Sequence, residues 1–159
     1  TEHFYVIGVN SMRRRYHTRG HISLSQIQEI DLKLQQAPAH KIKLIAAHQP
    51  FYTPPDHSHG VKDCPMLGRI ALEQWSQHGL NGLLHGHLHH AAVYDLNQIY
   101  QLGVSHPVLD IHAGTATSYR LHAGLPNSLN IILPNADVQH LSFNAATNRF
   151  ELIQQNTSD

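Results

Sequence analysis

LLHGHLHH, residues 83 to 90, decides how the rest of the chain is read. His87 and His89 are one residue apart, and two such imidazoles turn to the same side only where the backbone between them is extended or looped; on a helix they would diverge. Gly82, Leu83 and Leu84 read as the end of a short buried strand. Gly86 then permits a sharp exit that brings both rings to one point. That is the geometry of a metal site at a strand end. A chain with 16 histidines also clusters some of them by chance, so the H-x-H pair needs a second signal.

The second signal lies upstream in KIKLIAAHQP, residues 41 to 50. Ile42, Leu44, Ile45, Ala46 and Ala47 suit a strand buried on both faces, and His48 stands where Gln49-Pro50 stops it. A second histidine therefore occupies a second strand end. Downstream come IHAGTATSYR at 111 to 120 and NSLNIILP at 127 to 134. This order, H-Q-P, G-H-L-H, A-G-T-A-T-S-x-R and N-S-L-N-I-I, resembles the second half of calcineurin-like metallophosphoesterases, particularly their cyclic-nucleotide phosphodiesterase-like branch. The resemblance runs from the strand at Phe4 to Val9 through to Phe150, with G-H-x-H its most specific piece.

The resemblance implies an α/β (α+β) fold, part of a four-layer β-sandwich with flanking helices. It also implies a site in which loops at the strand ends hold two divalent transition metals that hydrolyse a phosphate ester such as a nucleotide. Carried over residue by residue, His48, His87 and His89 match metal ligands. Neutral imidazoles suit Mn, Fe, Zn or Ni, and the sequence does not choose among them. His85, His90 and His112 match no ligand position and are read as neighbours of the site or incidental. Asp110-Ile111-His112 has the D-x-H form that opens this family's site, yet it follows G-H-x-H and is read as a coincidence on a strand.

The family's first half, with D-x-H, the bridging Asp of G-D, and G-N-H, has no counterpart before His48. Asp31 is the only aspartate there, and it lies within a helical pattern. Residues 1 to 159 thus read as the C-terminal half of a single metallophosphoesterase domain whose N-terminal half is absent. No catalytic residue is identifiable in this chain, and every carboxylate ligand is taken to be missing. The intact parent is expected to be a phosphodiesterase or phosphomonoesterase, with the chain alone inactive and prone to self-association through uncovered sheet. The alternative is a non-catalytic metal-binding or interaction module on the same scaffold. His48, His87 and His89 are expected to converge at one sheet edge.

Composition sets the outer bounds. A domain of about 150 residues buries roughly 68 to 70% of its unfolded surface, enough for an ordinary core. Eleven Lys and Arg balance eleven Asp and Glu, so no overall field draws the chain to nucleic acid or to a membrane. Cys64 is the one cysteine, which excludes an internal disulfide and fits a reducing, cytoplasmic compartment. No apolar run approaches the roughly 20 residues of a membrane span, and the first residues lack a signal-peptide pattern.

Along the chain, Phe4 to Val9 reads as a buried strand. Arg13, Arg14, Arg15 and Arg19 form the one basic cluster, read as a phosphate contact or, more simply, a solvated loop. Ser23 to Gln36 reads as a helix with Ser23 and Gln26 as a capping box, and Met66 to His78 as a second, with Trp75 in the core. FYTPPDHSHGVKDCP between them reads as a surface loop, in which His57, His59 and Lys62 are candidates for substrate contact or plain exposed residues. Ala91 to Asp95 continues as a short strand. Residues 108 to 111, 129 to 133, 137 to 143 and 149 to 153 read as a run of antiparallel strands.

Overall fold

The computed structural model describes residues 1–12, 20–55, 60–119, 121 and 124–153. One sheet contains β1 (Phe4–Gly8), β2 (Ile42–Ala46), β3 (Leu80–His85), β4 (Ala92–Asp95) and β5 (Leu109–His112), in the order β1-β2-β3-β5-β4. A second, antiparallel sheet contains β6 (Ser128–Ile132), β7 (Val138–Asn144) and β8 (Arg149–Leu152). The fold is α+β, as expected. β1, β2, β3 and β5 run parallel, and β4 closes the far edge antiparallel to β5.

Two expectations about strands are corrected. β5 belongs to the parallel set, wedged between β3 and β4, rather than to the antiparallel run that follows; Asp110 and Ile111 are buried accordingly, as a central strand requires. β1 is an edge strand with β2 as its neighbour, so Val6 is 50% exposed and Ile7 alone of its five residues is buried. An apolar β-branched run announces a strand but not how many neighbours it will have. A third helix, α3 (Leu96–Tyr100), was not foreseen; Asp95 caps it by accepting from the Asn97 N–H at 2.9 Å.

The main core lies between one face of the large sheet and two helices, α1 (Leu24–Gln36) and α2 (Gly68–Ser76). α1 begins with the expected capping box: the Gln26 N–H donates to Ser23 Oγ at 3.2 Å and the Ser23 N–H to Gln26 Oε1 at 3.0 Å. Its apolar face, Ile27, Ile30 and Leu34, meets Trp75 and Leu72 of α2 over Ile7, Ile45 and Leu83 of the sheet. Trp75 is fully buried, and its Nε1–H donates to the Ile27 carbonyl at 3.0 Å. Lys43, projecting from β2, ties both helix C-termini to the sheet by donating to the carbonyls of Leu34 and His78, each at 2.9 Å.

Register decides what stands on each face. Ile45 pairs with Leu83, Leu83 with Asp110, and His85 with His112, so these residues share the helix-facing side with Ile7. Leu84 and Ile111 point to the other side. With Leu129 and Ile132 of β6 they line a cavity of about 410 Å³ across which the two sheets face each other. Among the described residues, no helix is long and apolar enough to cross a membrane.

Candidate metal centre

In a parallel sheet the carboxyl ends of the strands gather at one edge, the usual location of ligand sites in α/β proteins. Four parallel strands deliver their following residues here: Asn10 and Ser11 after β1, His48 and Gln49 after β2, His87 and His89 after β3, and the 113–116 segment after β5. Ser11 and Gln49 are buried and hydrogen-bonded to each other. Ser11 Oγ also accepts the backbone N–H groups of His48 and Gln49, both at 3.3 Å, which fixes the backbone that carries the His48 ring.

His87 leaves β3 through an unusual turn. The Leu88 N–H donates to the Gly86 carbonyl at 2.7 Å, and His87 between them has φ 64°. An i to i+2 bond around a positive-φ residue is the rarer, strained form of γ-turn. His89 has φ 54°. The sharp exit expected of Gly86 is therefore made by the histidines themselves; Gly86 is absent from the positive-φ positions, and histidine reaches the left-handed region through its tolerance for it, shared with Asn and Asp.

The turn brings His87 Nδ1 to 3.2 Å from His48 Nε2, with the ring centroids 5.0 Å apart and the rings nearly perpendicular. On the opposite side, His87 Nε2 stands 3.3 Å from Asp63 Oδ1. Asp63 ends a short 3-10 helix, Gly60–Asp63, and is almost wholly buried. A carboxylate that the sequence did not single out, within a segment expected to be a surface loop, thus lies against a candidate ligand. His48 is exposed; desolvation, followed by the charges of His87, His85 and His89, holds its imidazole below the ordinary pKa and favours the neutral ring. His89, exposed, follows Leu88 on the same turn.

A second cluster lies one layer deeper. His85 Nε2 is 3.0 Å from Asp110 Oδ1, and His112 Nε2 is 3.0 Å from Asp110 Oδ2, with all three side chains at most 1% exposed. The Tyr52 N–H also donates to Asp110 Oδ2 at 3.0 Å. These residues, read from sequence as incidental, are packed together in the interior. The available signal was the i, i+2 spacing of Asp110 and His112, which puts both on one face of a strand. Burial works against the Asp110 charge, yet His85 and His112 beside it hold its pKa below the ordinary value. Lys62 is exposed on the 3-10 helix. Arg13, Arg14, Arg15, Arg19, His57, His59 and Arg120 lie outside the described residues.

These environments set a pH dependence. His112 is held below its ordinary pKa by burial first, as is His140, the latter donating from Nδ1 to Asn130 Oδ1 at 2.8 Å. A histidine with a lowered folded-state pKa is protonated first in the unfolded chain, so stability is lost as pH falls below about 6.5, by at most about 1.4 kcal/mol per pH unit per group. The lowered pKa of Asp110 acts in the same direction below about pH 4. Tm measured by circular dichroism should therefore fall steadily from pH 7.5 to 5.5; a flat or rising Tm would contradict this.

No family model matches the chain, and no curated protein does. Among solved structures, the chain is similar to a "Putative 5'-Nucleotidase" from Staphylococcus aureus, solved in complex with alpha-ketoglutarate, at 14% identity and a TM-score of 0.45. The match covers 94% of this chain and 26% of that one, so the chain spans about a quarter of that protein's length. A likeness this distant carries no inference about activity.

Proposed function

We propose that residues 1–159 are the second half of a metallophosphoesterase domain and supply the imidazole ligands His48, His87 and His89 to a dinuclear site that hydrolyses a phosphate ester such as a nucleotide. The observation that carries this reading is the 3.2 Å approach of His48 Nε2 to His87 Nδ1 at the carboxyl ends of adjacent parallel strands. Two nitrogens bound at about 2.0 to 2.1 Å to one tetrahedral ion stand roughly 3.3 Å apart, so the pair fits a shared metal as it is. Asp63 on the other nitrogen of His87 supplies what a metal-bound histidine usually has, a carboxylate that fixes ring and tautomer.

When bound, two such metals would polarise a phosphoryl group and generate the attacking hydroxide at neutral pH. The chain's own contribution is orientation. Ser11 anchors the His48 backbone, the γ-turn aims His87, and partial desolvation beside neighbouring imidazoles favours the neutral His48 ring, whose lone pair a metal needs. The bridging carboxylate and the leaving-group acid would come from an N-terminal half carrying D-x-H, G-D and G-N-H.

Calorimetric titration of the 159-residue chain with Zn²⁺ or Mn²⁺ tests the ligand assignment. His87→Ala with His89→Ala should weaken binding at least about tenfold, the usual scale for losing part of a metal's ligand environment. Heats identical to the parent chain would refute it. With bis-p-nitrophenyl phosphate, the chain alone should show no metal-dependent turnover, while a longer product bearing the three upstream motifs should turn over and lose that activity on His87→Ala.

A further inference from the structure

We propose that His85, Asp110 and His112 form a second, buried metal site, distinct from the His48 and His87 edge, that takes one Zn²⁺-class ion as the chain folds. Their ligand atoms all lie within 4.8 Å of one another. The cluster is held on two adjacent strands, because β3 and β5 pair His85 with His112 and put Asp110 two residues earlier on the same face. The edge-on rings of His85 and His112 are 4.0 Å apart at their centroids, and Tyr94 covers His112 with its own ring at 5.0 Å.

What points to a cation is the unfinished hydrogen bonding. His85 Nε2 and Asp110 Oδ1 are completely buried, 3.0 Å apart, and neither has a properly directed hydrogen bond. His85 Nδ1 lies 3.4 Å from the Gly86 carbonyl, so in the tautomer with the ring proton on Nδ1 that proton has an acceptor and Nε2 turns a lone pair toward Asp110. In that tautomer the lone pair confronts a buried carboxylate oxygen 3.0 Å away. Buried charge in such a setting is costly unless a cation joins the two. Donor atoms 3.0 Å apart stand a few tenths of an ångström inside the roughly 3.3 Å of a tetrahedral pair, so a small opening of the pair would admit a Zn²⁺-class ion, and two imidazoles with one carboxylate are a donor set of that class.

His112 completes the set as its Nδ1–H tautomer, turning the Nε2 lone pair from Asp110 Oδ2 to the ion. Asp110 Oδ2 keeps the Tyr52 N–H, so one carboxylate oxygen anchors the 49–53 segment while the other binds. Because the three side chains are closed to solvent, the ion must be supplied during folding rather than soaked in.

The test separates this site from the exposed one by working in a His48→Ala, His87→Ala, His89→Ala background. That protein, unfolded in urea and refolded with Co²⁺, is passed over a desalting column and assayed for bound metal, visible absorption and Tm. The expected result is about one Co²⁺ per chain, with ligand-field bands and a Tm several degrees above that of protein refolded with a chelator. Adding Asp110→Asn, which keeps an acceptor for the Tyr52 N–H, should abolish all three signals. His112→Phe serves as the second removal should Asp110→Asn fail to fold. Less than a tenth of an equivalent retained by the triple variant, or equal retention after Asp110→Asn or His112→Phe, would overturn the site and leave a proton as the cation between His85 and Asp110. Failure of metal binding at the exposed edge would not touch this outcome, since that edge is deleted throughout.

Discussion

Trp75→Ala is expected to cost about 3 to 5 kcal/mol of folding stability, the range seen when a large aromatic is removed from a packed core. Trp75 has no exposed surface, and Phe51 lies against it with ring centroids 6.0 Å apart. α1 and α2 meet through it. The substitution also leaves the Ile27 carbonyl without its indole donor, a loss that adds to the void. For a domain whose total stability is typically about 5 to 15 kcal/mol, such a loss leaves little in reserve. Urea unfolding followed by far-ultraviolet circular dichroism measures it directly. A change below about 1 kcal/mol would mean that α2 is not seated on the sheet through this residue.

Asp110→Ala, in chelator-treated buffer, is the other large effect. The carboxylate accepts from the Tyr52 N–H and lies 3.0 Å from the Nε2 atoms of both His85 and His112, so alanine removes the one charge that all three face. Removing one member of a buried, charged, hydrogen-bonded group costs about 3 to 5 kcal/mol, because the remaining partners keep their desolvation and lose their compensation. Asp110→Asn should cost less, since an amide still accepts from Tyr52. Equal stability of Asp110→Ala and the parent chain would show that the interior cluster contributes nothing to folding.

The sequence was most readable where local chemistry and long-range packing agree. The capping box at Ser23 and Gln26 is complete within four residues, and α1 begins there in the structure. β2 and β3 were visible as short apolar runs, and the histidines just beyond them fall at neighbouring strand ends. Sheet order was not visible in the same way. Nothing in FYVIGV distinguishes an edge strand from a central one, and nothing in LDIH says that it will insert parallel beside β3. Asp63 was hidden for a related reason: it lies in a Pro- and His-rich segment without periodicity, and only the folding of that segment against the β3 turn brings its carboxylate to His87. Asp110 and His112 have the D-x-H form of the family's opening motif but stand after G-H-x-H, the wrong place in the order for that role. A motif's order in the chain does not reveal which strands will lie side by side, and here β3 and β5 do.

His87 and His89 both occupy left-handed backbone, at φ 64° and 54°. For a residue with a Cβ each such conformation costs on the order of 1 kcal/mol, and glycine would relieve it. The turn after β3 is therefore in conflict with selection for thermal endurance alone. In a randomised library sorted by heat survival, without any demand on metal or substrate, positions 87 and 89 should drift toward glycine and asparagine while Trp75 and Leu83 hold fixed. A lineage that keeps imidazoles at both positions is being held there by something other than the durability of its fold.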